Sequence, residues 1–331
     1  MGRGLPSHPG DPGAAPRPER RERHPSPGDV MTPKGAPTRY LQPMRNFVFA
    51  LIAGVTAAQE NTSGVPIPTT PEFDRTDPQV HGRQLAEYAD RYDSGWRDSY
   101  ARSSITLFDA NGDSVQRDSV QLILEKDAGD KSIVRFLTPA EIKGVAALTH
   151  EHPDTTDDSW LYLPATKRVR RISGANKTAS FQGTEFTYED LSNRIVSKYE
   201  WRLLEESELQ TADGARPVYV LQAKPRYRDT GYSKLIVYLH REAWRQERVE
   251  FFDRAGRLLK VLNNRKWRHR HGRFWRAEQI EMTNVQTKKR TVIDASTQML
   301  NLSLYTNART GEPRPNLTDK QFTTVALTGR R

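Results

Sequence analysis

Between residues 105 and 294, apolar side chains recur at every second position in run after run, and short turn sequences separate the runs. Period-two alternation means half-buried strands, because successive side chains leave a strand on opposite faces. Ile105 and Leu107 flank Thr106, Asn111-Gly112 supplies a tight hairpin turn, and Val120, Leu122 and Leu124 resume the alternation on the return. The pattern repeats at Ile133 to Leu137 and at Tyr199, Trp201 and Leu203, then, beyond a turn at Asp213-Gly214, at Val218 and Val220. It continues at Leu235, Val237 and Leu239, at Val249 and Phe251, and, after a turn at Asp253 to Gly256, at Leu259 to Val261. Phe274 to Thr283 and Lys289 to Asp294 supply the last two strand candidates. Strands joined by short turns pair antiparallel with their neighbours, and so long a meander must curl. The spacing predicts a mainly β chain with a few helices (α+β), a meander of roughly eleven to thirteen antiparallel strands that curls into an open or complete barrel. A curl of that size encloses more volume than ordinary side chains fill, which suits a small ligand.

The N-terminal part reads differently. Residues 1–43 are rich in Pro, Gly and Arg and too poor in apolar residues to fold. Residues 44–58 run from a short basic start, Met44-Arg45, through the apolar stretch Phe47 to Val55 to small residues at Ala57 and Ala58, the pattern of a secretory signal. The stretch is shorter than the roughly twenty residues of a permanent span. Met44 reads as the initiator, with Met31 as a second candidate, and the mature chain as exported. Residues 59–94 form a linker and one helix, with Asp77 as N-cap, Pro78 in the first turn and Val80, Leu85, Tyr88, Ala89 and Tyr92 near helical spacing. Residues 95–331 form a single β domain.

Charge and cysteine count narrow the function. With residues 1–58 removed, Lys+Arg fall from 51 to 43 and Asp+Glu from 41 to 37, so the formal charge falls from +10 to +6. That excess suits mild attraction to anionic surfaces and not a dedicated polyanion binder. There is no cysteine, hence no disulfide and no lipid-acceptor thiol. The acidic run 151–158 with His150 and His152 reads as a solvated loop, lacking the helical spacing of a zinc site. No phosphate loop, dinucleotide fingerprint or nucleophile elbow occurs, so no catalytic residue, metal or cofactor is assigned. The basic and aromatic stretch Arg265 to Arg276 joins two strands through Gly272, which favours a hairpin with Trp267 and Trp275 inward or at a membrane interface over a nucleic-acid surface.

Trp160 to Leu191 is the richest stretch. Trp160 and Tyr162 point to one face of a strand and Leu161 and Leu163 to the other, so both faces are covered, one by the interior and the other by the helix at 78–92 or by the segment 181–191. Pro164 to Lys167 turn the chain into Arg168, Val169, Arg170 and Arg171, a basic hairpin suited to anionic head groups or an acidic partner. The wording WLYLPA, KRVRRIS, a polar loop and FTYEDL closely resembles outer-membrane lipoprotein-sorting proteins of the LolA-like type. Weaker pieces of the likeness are Ile142 to Val145, Val249 to Asp253 and Asp319 to Thr324, so it spans about Tyr88 to Leu327.

The resemblance implies a LolA/LolB-like fold, an incomplete barrel over helices with an apolar cavity for acyl chains. It also implies closure by an arginine inside the sheet that donates to loop carbonyls. The chain is longer than LolA itself and looks like uncharacterised members often associated with RND-type exporters. The expected function is therefore a periplasmic lipid or lipoprotein carrier, monomeric, with transient membrane contact and no nucleic acid. The expected lipid-binding or lid residues are Trp160, Tyr162, Leu163, Phe181, Phe186, Tyr188 and Trp201. Lys167, Arg168, Arg170 and Arg171 are expected at head groups or docking partners. Two alternatives are a non-catalytic interaction subunit of an RND-type envelope exporter, with a filled interior, and a lipid-cleaving enzyme on the same scaffold.

Overall fold

The computed structural model describes residues 61–329. The extension expected at 1–43 and the signal segment expected at 44–58 lie outside the described residues.

The first element is helix α1 (Pro78–Tyr92), where Asp77 accepts from the Gln79 amide at 2.7 Å as its N-cap. Thirteen strands follow. They are β1 (Asp98–Phe108), β2 (Ser114–Leu124), β3 (Lys131–Thr138), β4 (Ala146–His150), β5 (Asp158–Leu163), β6 (Arg168–Ile172) and β7 (Tyr199–Thr211). Then come β8 (Gly214–Pro225), β9 (Tyr232–His240), β10 (Gln246–Asp253), β11 (Leu258–Arg270), β12 (Phe274–Asn284) and β13 (Arg290–Leu300), and the chain closes with the short helix α2 (Thr324–Leu327).

All thirteen form one antiparallel sheet in the order β6-β5-β4-β3-β2-β1-β13-β12-β11-β10-β9-β8-β7. Two meanders, β1 to β6 and β7 to β13, are thus joined where β1 pairs with β13, with Ile105 opposite Ile293. The sheet is curled and open, one of the two forms the alternation allows, and its thirteen strands are the upper end of the expected count. Its free edges are β6 and β7. The turns also follow the sequence, although the first is longer than a two-residue hairpin. Asp109 to Asp113 lie between β1 and β2, with Gly112 at φ +95° and the Asp109 carboxylate accepting from the amides of Asn111 and Asp113.

One face of the sheet is concave. Helix α1 lies against β7 there, and burial of Leu85, Ala86 and Tyr88 with Trp201, Leu221 and Leu239 forms the largest apolar cluster. The approach is close enough to require glycine, since a Cβ on Gly82 would stand 2.4 Å from the Leu203 amide nitrogen. The segment between β6 and β7 crosses from one free edge to the other. Phe181 stacks on Phe136 of β3, while Phe186 joins the α1 cluster.

The convex face of β3 to β5 has a different cover. Trp160, Tyr162 and Val169 pack with Leu148, Phe322 and Leu327. Neither α1 nor the segment 181–191 covers Trp160 and Tyr162; the C-terminal segment does. Arg135 donates to the Ala326 and Leu327 carbonyls at 3.2 and 2.9 Å, and the His150 ring nitrogen meets the Phe322 carbonyl at 2.8 Å. An apolar turn from a stretch more than 150 residues away in sequence supplies this cover, so the sequence of the strand carries no mark of it.

Candidate functional site

Between the concave face, α1 and the crossing segment lies a cavity of about 1000 Å³. That is the upper end of the range usual for ligand pockets, roughly 300–1000 Å³. Its apolar part is built by alternate residues of neighbouring strands, among them Leu221, Val237, Leu239 and Leu262. The pair Ile105 and Ile293 continues this surface across the joint between the two meanders, with Ile280 opposite Ile293 on the next strand.

The crossing segment forms the opposite wall and is tied to both meanders. From β2, Arg117 donates to the Gln182 carbonyl and lies over the Phe136 ring. From β11, Lys260 donates to the Glu185 carbonyl at 3.0 Å and to Asp190 at 2.5 Å. The Thr291 hydroxyl of β13 accepts from the Glu185 amide. Glu189 accepts from Tyr227, Thr230 and the Gly231 amide at 2.6–2.8 Å, and burial raises its carboxyl above the ordinary range. Burial likewise pushes Tyr199 up to about 12 and raises Tyr227 and Tyr232, so these phenols act as neutral hydrogen-bonding groups.

One end of the cavity is aromatic and cationic. Arg245 lies 4.5 Å from the Trp267 ring and 4.3 Å from the Trp275 ring, and pairs with Glu247 at 2.8 Å. Trp267 also donates to Glu247 at 2.9 Å. Both tryptophans therefore line the cavity and do not project from the hairpin. Part of the cavity lining is acidic. Asp90, Glu125 and Asp130 are all raised by burial, Asp130 to about 6.

The acidic run 151–158 is solvated only in its middle, at Asp154 to Thr156, and is drawn inward at both ends. Glu151 is 6% exposed and accepts from the Asn193 amide at 2.6 Å, and burial pushes its carboxyl up to about 8. Asp157 pairs with Lys198 at 2.5 Å, and its carbonyl accepts from Lys177. Charged residues that look solvent-facing by composition are drawn inward because the crossing segment needs acceptors for its amides and ammonium groups. Among the described residues no group of three or more His, Cys, Asp or Glu is placed to hold a metal ion.

The residues expected at the site from sequence divide into three sets. Phe181, Phe186 and Trp201 line the cavity, and Trp201 donates to the Val196 carbonyl at 2.9 Å. Leu163 and Tyr188 are packed in the apolar cluster beneath the crossing segment, outside the cavity lining. Trp160 and Tyr162 lie on the convex face and are separated from the cavity by the sheet. In the basic hairpin, Arg171 faces outward and pairs with Asp158, while Arg168 and Arg170 lie opposite Leu163 and Leu161 in register, exposed at the free edge. Lys167 takes the left-handed conformation that ends the Pro164–Thr166 turn, at φ 52°.

Sequence reasoning passed over Arg117, Arg194, Arg245 and Lys260. One of these carries a local signal. Lys260 shares parity with the inward-facing Leu262, whereas Arg117 shares it with Ser119 and Gln121, opposite in parity to the alternation at Val120, Leu122 and Leu124. A charged residue on the apolar parity of a strand marks a buried partner.

Comparison with known proteins agrees with this fold. A family profile described only as "Uncharacterized protein" matches residues 128–308. The crystal structure of an outer membrane lipoprotein-sorting protein domain from Vibrio parahaemolyticus is 35% identical, with a TM-score of 0.66, over 75% of this chain and 98% of that one. A DUF1329 family protein from Desulfovibrio piger is 27% identical, with a TM-score of 0.66, over 76% of this chain and 100% of its own. A LolA superfamily protein from Nitrosomonas europaea shares the fold at a TM-score of 0.56 and 20% identity, over 74% of this chain and 98% of that one. No curated protein matches. With a thirteen-stranded open sheet and 35% identity across three quarters of its length, the chain belongs to the outer-membrane lipoprotein-sorting protein family.

Proposed function

We propose that the protein is an exported carrier that holds the acyl chains of a lipid or lipoprotein in the cavity between its sheet and the crossing segment. The observation that carries this reading is the cavity of about 1000 Å³ with an apolar floor of Leu221, Val237, Leu239 and Leu262. Each methylene moved from water to such a surface gains about 0.8 kcal/mol, and leaving a membrane costs the same. Transfer between membrane and cavity is then close to neutral and can be directed by partners without a covalent step. Phe181, Phe186 and Trp201 form the wall that contacts the chains. Arg117 and Lys260 hold the crossing segment over them, and release of those two contacts opens the cavity. The signal pattern at 44–58 and the name of the Vibrio relative both support an envelope location, in the periplasm.

A second reading is an interaction subunit of an RND-type envelope exporter. The exposed free edge β6 favours it, because Lys167, Arg168 and Arg170 present an unpaired strand edge and positive charge together. The two readings are separated by one experiment. Native mass spectrometry and lipid extraction of protein purified from the envelope, with uptake of uncharged N-phenyl-1-naphthylamine, should reveal bound lipid and a Trp201→Ala variant with reduced uptake. Absence of lipid together with unchanged uptake by Trp201→Ala removes the carrier reading.

A further inference from the structure

The cavity contains five cationic side chains, and four have evident counterparts. Arg245 pairs with Glu247, Arg276 with Asp93 and Lys126 with Asp319, while the exposed Arg97 turns to Ser303 and Asn316. Arg194 differs. Its Nη2 donates to the Gln246 side-chain oxygen, its Nε is buried without a hydrogen-bond partner, and no described carboxylate forms an ion pair with it. Asp190 is the acidic group whose field reaches it. The oxygens of Asp190 are already taken, one by Tyr232 and the other by Lys260 and Thr187.

A guanidinium cannot shed its proton to escape a desolvated site, so the half-buried Arg194, its Nε out of reach of water and no carboxylate paired with it, is held at a cost. Here the backbone fixes it in place. Next to it, Asn193 is tied through its amide to Glu151 and through its side chain to Asp130, and the Val196 carbonyl accepts from Trp201. Arg194 also borders both the large cavity and a second one of about 390 Å³, where Lys177, Lys198 and Arg226 stand among the carboxylates of Asp154, Asp157, Glu189, Asp190 and Asp229. Arg194 and the apolar floor of Leu221, Val237, Leu239 and Leu262 line the same cavity.

Building on the carrier reading, we propose that Arg194 is the binding residue for an anionic terminus of the cargo, a carboxylate or a phosphate attached to an acyl chain. The guanidinium fork matches either oxyanion bidentately. Because Arg194 sits on the crossing segment, an anion bound there ties the cargo to the same element that walls the cavity.

The test is displacement of uncharged N-phenyl-1-naphthylamine from the exported protein by palmitate, lysophosphatidate and methyl palmitate. A charge-assisted contact in this site should let palmitate or lysophosphatidate displace the probe at about tenfold lower concentration than methyl palmitate. Preference for one of the two anions identifies carboxylate or phosphate as the terminus. Arg194→Gln should abolish the difference while still binding the probe, and Arg194→Lys should retain part of it. Equal displacement by charged and uncharged ligands in the wild-type protein, or a preference that survives in Arg194→Gln, overturns the assignment and leaves the carrier reading standing. Failure of the wild-type protein to take up the uncharged probe and the acyl ligands removes both. If Arg194→Gln does not fold, Arg194→Lys carries the test, and a preference undiminished in that variant overturns the assignment.

Discussion

Lys260 Nζ stands 2.5 Å from Asp190 Oδ2, with the two side chains 2% and 6% exposed. The ammonium also lies 5.4 Å from the Tyr232 ring and 5.3 Å from the Phe251 ring. This buried pair joins β11 to the crossing segment, so one contact couples the sheet to the wall of its own cavity. Removing only the lysine leaves a carboxylate in a desolvated site with Tyr232 and Thr187 as its donors.

Lys260→Met should therefore cost about 3–5 kcal/mol of stability, the usual consequence of orphaning one buried charge. Urea unfolding measures the loss, and limited proteolysis should show earlier cleavage between residues 180 and 195. The double variant Lys260→Met with Asp190→Asn should recover part of the loss. Unchanged proteolysis in the single variant would show that the pair does not hold the segment.

Gly82→Ala sets two effects against each other. Alanine gains about 1 kcal/mol over glycine inside a helix. Against that, its Cβ would meet the backbone of Arg202 and Leu203 at 2.4–2.7 Å, and backbone of an adjacent strand does not give way as a side-chain end does. Overpacking of this kind costs about 1–3 kcal/mol, so the variant should be less stable than wild type in thermal unfolding. A higher melting temperature would refute the close approach of α1 to β7.

The burial of Glu151 makes a prediction about pH. Its carboxyl is raised from the ordinary 4.5 to about 8, so the folded state keeps a proton that the unfolded state has lost between those values. Asp130, raised to about 6, acts in the same direction over its lower window. Stability from these groups is present below about pH 4.5 and declines as pH rises through about 8, by a few kcal/mol in order of magnitude. Glu151→Gln should flatten that decline in urea unfolding compared at pH 5 and pH 8. An identical slope in both proteins would sink the idea.

Phe322→Ala separates the two faces of the sheet. Phe322 is 1% exposed and packs on the convex face, so its truncation should cost about 3–5 kcal/mol. Uptake of an uncharged fluorescent probe should not change, because the cavity lies on the other face, and Trp160→Ala should behave likewise. Reduced uptake in either variant, measured under conditions where it remains folded, would mean that the convex face takes part in binding.

The strands were legible because their information is local. Alternation at Leu235, Val237 and Leu239 needs only one buried face, and Gly112 and Gly256 mark turns through positive φ that other residues adopt at a cost. The N-cap at Asp77 is equally local. The covering of Trp160 and Tyr162 was not legible, because an outward apolar residue on a strand specifies that something must cover it and not which segment does. Phe322 and Leu327 lie more than 150 residues away in sequence and carry no complementary mark. The acidic run 151–158 reads as solvated by composition, and only the amide of Asn193 and the ammonium of Lys198, both on the crossing segment, give its carboxylates a buried role.

By itself, then, the sequence determined a long antiparallel meander with one N-capped helix, and the wording of residues 160–191 pointed to the family. Both depend on near neighbours along the chain. Tertiary structure decided that β1 closes on β13, that the segment from β6 to β7 crosses the opening, and that Arg194 forms no ion pair with a carboxylate among the described residues. Whether a charge is paired depends on groups brought near it from distant strands, and only the pairing of those strands settles which groups they are.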